Sequence, residues 1–273
     1  MAASDERASN LAHWEALAAV HGQDDYYDAE GLIAGADSLS EPEEVAVREA
    51  VGDVAGLDVL HLQCHIGFDS ISLARRGARV TGADFSPASL AKARDLASRA
   101  GVEAEFVQAD ATALPTELHG RFDLVYSTIG VLCWIDDLAA WMRSAHAALR
   151  PGGRLVLVEI HPLFNMVGTP EPFALDFPYA LDGPHRFDEP GSYADAGADV
   201  AATTEIVYAH SLGETVTAAV HAGLRVDALH EHLDTDLDPR GRVLAREHDG
   251  RLRLRVTGRP LPVLFTLLAT KPG

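Results

Sequence analysis

The chain has 273 residues, 47% hydrophobic and 23% charged, the balance of a globular protein able to bury a large core. Its 41 acidic and 22 basic residues leave a formal charge of −19, which repels phosphate backbones and anionic headgroups and argues against nucleic-acid and membrane partners. Two cysteines, Cys64 and Cys133, are too few for a secreted disulfide scaffold, and with no signal peptide or run of about 18 apolar residues in view, a cytoplasmic location is expected.

Leu11, Trp14, Leu17 and Ala18 fall at helical spacing and predict an amphipathic helix over residues 10–20, with Asn10 as its cap. The Asp24–Asp28 segment carries Tyr26 and Tyr27, and a second helix is expected from Glu41-Pro42 to about Val54. From Gly56 onward, strands and helices alternate. Strands are expected at 57–62, 78–84, 103–107, 122–127 and 154–160, with helices at 69–76, 86–100 and 136–149 between them. Such alternation implies parallel pairing with right-handed crossovers, a doubly wound sheet whose ligands bind at the carboxyl ends of the strands.

The alternation then breaks. Residues 162–199 are rich in Pro, Gly, Asp and aromatics, and so long a loop reads as a functional lid or a disordered segment. A strand at 201–209, a helix at 212–222, and strands at 224–232 and 261–270 follow. The Arg251–Val256 stretch alternates with period two and reads as a half-exposed edge strand.

Three consecutive strand ends carry groups suited to a nucleoside. In Val59-Leu-His-Leu-Gln-Cys-His-Ile-Gly-Phe-Asp69, Gly67 permits close backbone approach, and the following helix offers amide donors to an anion. Asp84 ends the next strand, where a carboxylate can accept two hydrogen bonds from a ribose diol. Gln108-Ala-Asp110 ends the third and suits an exocyclic amino donor. Asp84 capping the helix at Pro87, and Asp110 serving a turn, are the plainer alternatives.

These motifs, together with Val80–Ser86, Phe122-Asp-Leu-Val125 and Leu149-Arg-Pro-Gly-Gly-Arg-Leu155, resemble the class I S-adenosylmethionine-dependent methyltransferases over about residues 55–160. The Leu-Gln-Cys-His, Gly130–Trp134 and Glu159–Pro162 segments are similar to a bacterial small-molecule subgroup. The resemblance implies an α/β fold, a Rossmann-like seven-stranded mostly parallel sheet with helices on both faces. A helical cap over residues 1–55 would precede the domain of residues 56–273, with a lid insertion at about 162–205 and a smaller one at about 233–260. It also implies S-adenosylmethionine as cofactor and S-adenosylhomocysteine as product, with ribose at Asp84, adenine between Phe85 and Asp110-Ala111, and the methionine end at the Gly67 loop.

The first loop departs from the family pattern by placing His61, Gln63 and His65 where an acid and two glycines are usual. Gln63 or His65 is therefore expected to bind the cofactor carboxylate, with Ser127 nearby and Tyr27 presenting an aromatic face to the sulfonium. His161, directly after the fifth strand, is the candidate general base. Tyr126, Trp134, Phe164, Phe173 and His210 are expected to shape the substrate pocket, with Phe177 as a further wall. Thirteen histidines form no standard ligand pattern, so no metal is expected.

Rivals fare worse. Tyr126-Ser-Thr-Ile129 lacks the Pro-Pro-Tyr element of DNA amino methyltransferases, Cys133 lacks the Pro-Cys setting of a nucleophile, and the first loop lacks the G-x-G-x-x-G of nicotinamide dehydrogenases. A lyase, cyclase or pericyclase using S-adenosylmethionine remains the alternative to methyl transfer onto a small molecule, because fold alone does not separate them. Homodimerisation stays open.

Overall fold

The structure, a computed structural model, describes residues 3–24, 26–170, 172–180, 183–188, 190–240 and 243–273. Helices α1 (Ala3–Val20), α2 (Ala29–Ala34) and α3 (Glu41–Val51) precede the alternating core of β1 (Asp58–Leu62), α4 (Phe68–Arg75), β2 (Arg79–Asp84), α5 (Pro87–Ala100), β3 (Glu105–Gln108), β4 (Phe122–Ser127), α6 (Leu138–Ala148) and β5 (Leu149–Ile160). The insertion holds α7 (Pro162–Asn165) and the antiparallel pairs β6 (Val167–Pro170) with β7 (Phe173–Leu175) and β8 (His185–Asp188) with β9 (Thr204–Val207). The chain continues through α8 (Leu212–His221), β10 (Arg225–His232), the small strands β11 (Ala245–Arg246), β12 (Leu252–Val256) and β13 (Arg259–Leu261), and β14 (Leu264–Thr270).

Seven strands form the central sheet in the order β3-β2-β1-β4-β5-β14-β10. β1 to β5 pair in parallel, and β14 runs antiparallel to both neighbours. Successive strand residues point to opposite faces, and the core divides accordingly. Leu60, Val125, Leu155 and Leu157 join Trp141 and Ala219 on the face covered by α6 and α8. Val59, Leu124, Val156 and Val158 join Ala46 and Val47 of α3 on the other. Both faces being covered explains why these strands read as nearly continuous apolar runs.

Local signals set the helix starts. Ser86 accepts from the Ser89 amide with Pro87 at the first helical position of α5, and Asp137 caps α6 through the Ala140 amide. At the turn into β5, Gly152 takes φ +81°, and a Cβ on Gly153 would lie 2.9 Å from the carbonyl oxygens of Arg150 and Phe122. Only glycine fits both demands.

Several expectations need correction. The first helix begins at Ala3, so Asn10 is internal rather than a cap. Its side-chain amide instead donates to the Ile206 carbonyl and accepts from the Ile206 amide, both at 2.8 Å, imitating a strand partner for β9. The short α2, capped by Asp28, was not foreseen. The insertion is built of hairpins and a helical turn rather than one structureless loop. The arginine-alternating strand is the middle strand of β11-β12-β13, not an edge; Arg253 is neutralised there by Asp234, Glu247 and Asp249.

Candidate active site

The residues between β1 and α4 make a tight path without the usual glycines. Gln63 and His65 adopt φ of +59° and +48°, and Gly67 adopts +81°. Positive φ in two non-glycine residues costs on the order of 1–3 kcal/mol each and persists only where side chains hold it. Those side chains are engaged. Gln63 accepts from Trp141 Nε1 at 2.7 Å and donates to the Val131 carbonyl at 3.2 Å. The His65 ring hydrogen-bonds His21 at 2.8 Å and Ser89 at 3.2 Å. Burial keeps both imidazoles neutral, His21 pushed down to about 3. A Cβ on Gly67 would meet Ala93 Cβ at 2.8 Å and Phe106 Cε1 at 3.0 Å, so its small size also serves packing beneath α5 and β3.

Asp84 closes β2 with its carboxylate turned back to the loop. One oxygen accepts the His65 amide and the other the Ser86 amide, each at 2.9 Å. Burial pushes its pKa up to about 6 against the pull of these amides, with Glu15 adding to the rise. Each oxygen keeps a lone-pair site beyond those two bonds, which fits a ribose diol. Asp110 accepts from Thr112 and pairs with Arg7 at 2.7 Å. Ala111 is buried, Phe85 is half-buried, and the Ser127 hydroxyl donates to the Leu62 carbonyl at 3.0 Å.

Helix α1 lies across this edge. Glu15 accepts from the Ser86 hydroxyl and the Ala88 amide at the start of α5, and Trp14 places its ring 4.9 Å from His65 and 5.2 Å from Trp134. Beside it opens a cavity of about 870 Å³ with Tyr26, Tyr27, Trp134, Phe177, Phe187 and Tyr193 in its walls and Glu43, Asp69 and Thr128 among its polar lining.

The structure thus brings Tyr27, Trp134 and Phe177 to one cavity, with Tyr126 buried behind its wall and its hydroxyl on the lining residues Glu43, at 3.0 Å, and Asp69, at 3.3 Å. It separates the others from it. Phe164 is fully buried in a cluster with Val263 and Leu264, Phe173 packs on that cluster, and His210 is buried with Nε2 on the Ile135 carbonyl at 2.7 Å. His161 caps α7 by accepting the Leu163 amide at 3.0 Å, while Nε2 lies 3.0 Å from Glu231 on β10. His161 is not among the residues that line the cavity. Glu43 and Asp69 escaped sequence reading because each sits where a helix start explains an acid: Glu43 completes a capping box with Ser40, and Asp69 lies in the first turn of α4. Trp14, at helical spacing in α1, signalled only an amphipathic face.

A doubly wound sheet with this strand order and an acid at the end of β2 defines a Rossmann-like nucleoside-cofactor fold. Residues 59–153, about a third of the chain, match the family model described as methyltransferase domain. A ubiquinone biosynthesis O-methyltransferase of Pseudomonas aeruginosa is 35% identical over 120 residues, 42% of this chain and 51% of that one. A demethylmenaquinone methyltransferase of Thermus thermophilus is 44% identical over 86 residues, 32% and 38% of the two chains. The chain therefore spans about half the length, or less, of these curated relatives. An S-adenosylmethionine-dependent methyltransferase structure from Mesorhizobium loti shares the fold, with a TM-score of 0.53 and 23% identity over 87% of this chain and 99% of that one. Among the described residues, no helix is long and apolar enough to cross a membrane.

Proposed function

We propose that this protein transfers the methyl group of S-adenosylmethionine to a small molecule held in the cavity beneath the 162–205 insertion. The observation that carries the reading is that one helix, α1, borders two features: the strand-end edge of Asp84 and Asp110, met through Arg7 and Glu15, and an aromatic-walled cavity of about 870 Å³, lined by its Trp14 and Leu17. Asp84 would hold the ribose hydroxyls, Asp110 with Phe85 and Ala111 the adenine, and the Gln63–Gly67 loop the methionine end. The side chains of that loop are engaged within the protein, Gln63 with Trp141 and Val131 and His65 with His21 and Ser89, so the loop would meet the methionine end through its backbone. Bound there, S-adenosylmethionine supplies an electrophilic sulfonium methyl. The protein contributes alignment, an aromatic setting attractive to positive charge from Trp14 and Tyr27, and exclusion of water by α1 and the insertion. His161, with both ring nitrogens engaged, positions α7.

The test is to incubate the protein with S-adenosylmethionine, alone and with pooled small-molecule acceptors, and follow the cofactor by mass spectrometry. S-adenosylhomocysteine formed only with acceptor is the expected result. Methylthioadenosine released without acceptor would replace transfer by lyase or cyclase chemistry.

A further inference from the structure

Two carboxylates meet at the cavity. Glu43, 3% exposed, accepts from the Ser40 amide at 2.6 Å, the Ser40 hydroxyl at 2.5 Å, the Tyr126 hydroxyl at 3.0 Å, and the Thr128 hydroxyl. Four donors fill the lone-pair sites of an ionised carboxylate. Asp69 accepts from the Ser38 hydroxyl through one oxygen at 2.6 Å, and its other oxygen lies 3.3 Å from the same Tyr126 hydroxyl. Tyr126 has one proton to give, and Glu43 is its nearer acceptor. Its contact with Asp69 is favourable when Asp69 carries a proton and donates to the phenolic oxygen. Counted this way, the pair holds one proton and one negative charge. Electrostatics agree on one shared proton, whichever carboxyl holds it: burial raises the proton affinity of both, and a negative charge on Asp69 raises Glu43 further, so the two are not ionised together.

A second polar group borders the relay. The His61 ring, 2% exposed, packs edge-on to Tyr126 at 5.1 Å and bonds Ser70 through Nδ1, and its Nε2 has no hydrogen-bond partner among the described residues.

We propose that the Glu43–Asp69 pair, joined through Tyr126, is the proton acceptor of the reaction, and that the methyl acceptor presents an acidic hydroxyl, phenolic or enolic, on a flat ring-sized body. The proposal rests on the methyl-transfer reading above. Aromatic walls suit a flat body, and a carboxylate pair of raised proton affinity is matched to an acidic hydroxyl, since a base works best when its pKa lies near the operating pH. A permanently cationic acceptor has no proton to give. In the balanced step the acceptor oxygen forms its bond to the methyl carbon as the S–CH3 bond breaks. That bond's electron pair stays on sulfur, leaving a neutral thioether; the hydroxyl proton passes to the Thr128 oxygen, which lines the cavity, as Thr128 hands its own proton to Glu43, the ionised member of the pair, and from the pair the proton is later lost to solvent.

Two measurements test this. Infrared difference spectra of the cofactor-free protein, with carboxyl carbons isotope-labelled, should show a protonated carboxyl at neutral pH that Asp69→Asn or Glu43→Gln removes. A spectrum without that band overturns the shared proton. With 4-nitrophenol, catechol and benzylamine as probe acceptors, the wild type should methylate a phenol. Glu43→Gln and Asp69→Asn should lower kcat about 100-fold or more while calorimetry finds S-adenosylmethionine affinity within about twofold. Tyr126→Phe, which keeps both carboxylates and breaks the relay, serves where either variant fails to fold and should lower kcat in the same direction. Variants retaining kcat within about threefold, or methylation of benzylamine but of neither phenol, would overturn the proposal while leaving methyl transfer intact. A wild type that neither binds nor consumes S-adenosylmethionine would instead sink the methyl-transfer reading, with the infrared result still deciding the pair.

Discussion

The cofactor edge is written in short continuous stretches of chain, Gln63 to Gly67, Asp84 to Ser86 and Asp110 to Thr112, each following a strand of one parallel sheet. The cavity beside it gathers residues from α1 to α3, the exit of β4, the insertion and segments beyond it, with partners such as Glu6 and Tyr208 lying 202 positions apart in a single hydrogen bond. The first region is rigid because its backbone is over-determined: positive-φ residues are pinned by Trp141, His21 and Ser89, and Gly67 has no room for a methyl group. The second is held by side-chain contacts between segments, such as Asn10 with Ile206 and Tyr27 with Tyr193 at 2.5 Å between hydroxyls. A scaffold of one kind serves an invariant cofactor, and a scaffold of the other can be remodelled around an acceptor.

The contrast can be broken most sharply at Gly67. Gly67→Ala combines a left-handed backbone penalty of about 1–2 kcal/mol with overpacking against Ala93 and Phe106 of about 1–3 kcal/mol. Urea unfolding should show a loss of about 2–4 kcal/mol at unchanged m-value. A loss under about 0.5 kcal/mol would mean that the edge yields as a surface loop does.

His161 provides a smaller and sharper test of where the cavity chemistry lies. His161→Ala removes the cap of α7 and should cost about 1 kcal/mol of stability, while turnover on whichever acceptor the mass-spectrometric screen identifies stays within about threefold of wild type. A fall in turnover of about 100-fold with intact cofactor binding would return the base to His161, against the geometry in which Leu163 and Glu231 occupy its two nitrogens.

The sheet was legible because its strands are apolar on both faces and its helices carry ordinary caps, Ser86-Pro87 and Asp137 among them. Strand-end acids such as Asp84 were legible for the same reason, since the fold dictates where a ligand sits relative to strand ends. Tertiary context hid the rest. Asn10 looks like a cap until β9 is beside it, and Glu43 looks like a capping-box residue until Tyr126 and Asp69 meet it. His161 looked well placed by its position after β5, but its orientation depends on Glu231, 70 residues away.

The central claim, that S-adenosylmethionine binds at the edge formed by Asp84 and the Gln63–Gly67 loop, is tested most directly by calorimetric titration of S-adenosylmethionine into the wild type and Asp84→Asn. The account predicts saturable binding to the wild type and a loss of about 1–3 kcal/mol, roughly a 5- to 150-fold weaker Kd, in the variant, as expected for removal of a charged acceptor from a diol. Equal affinities for the two proteins, with the variant folded, would contradict it.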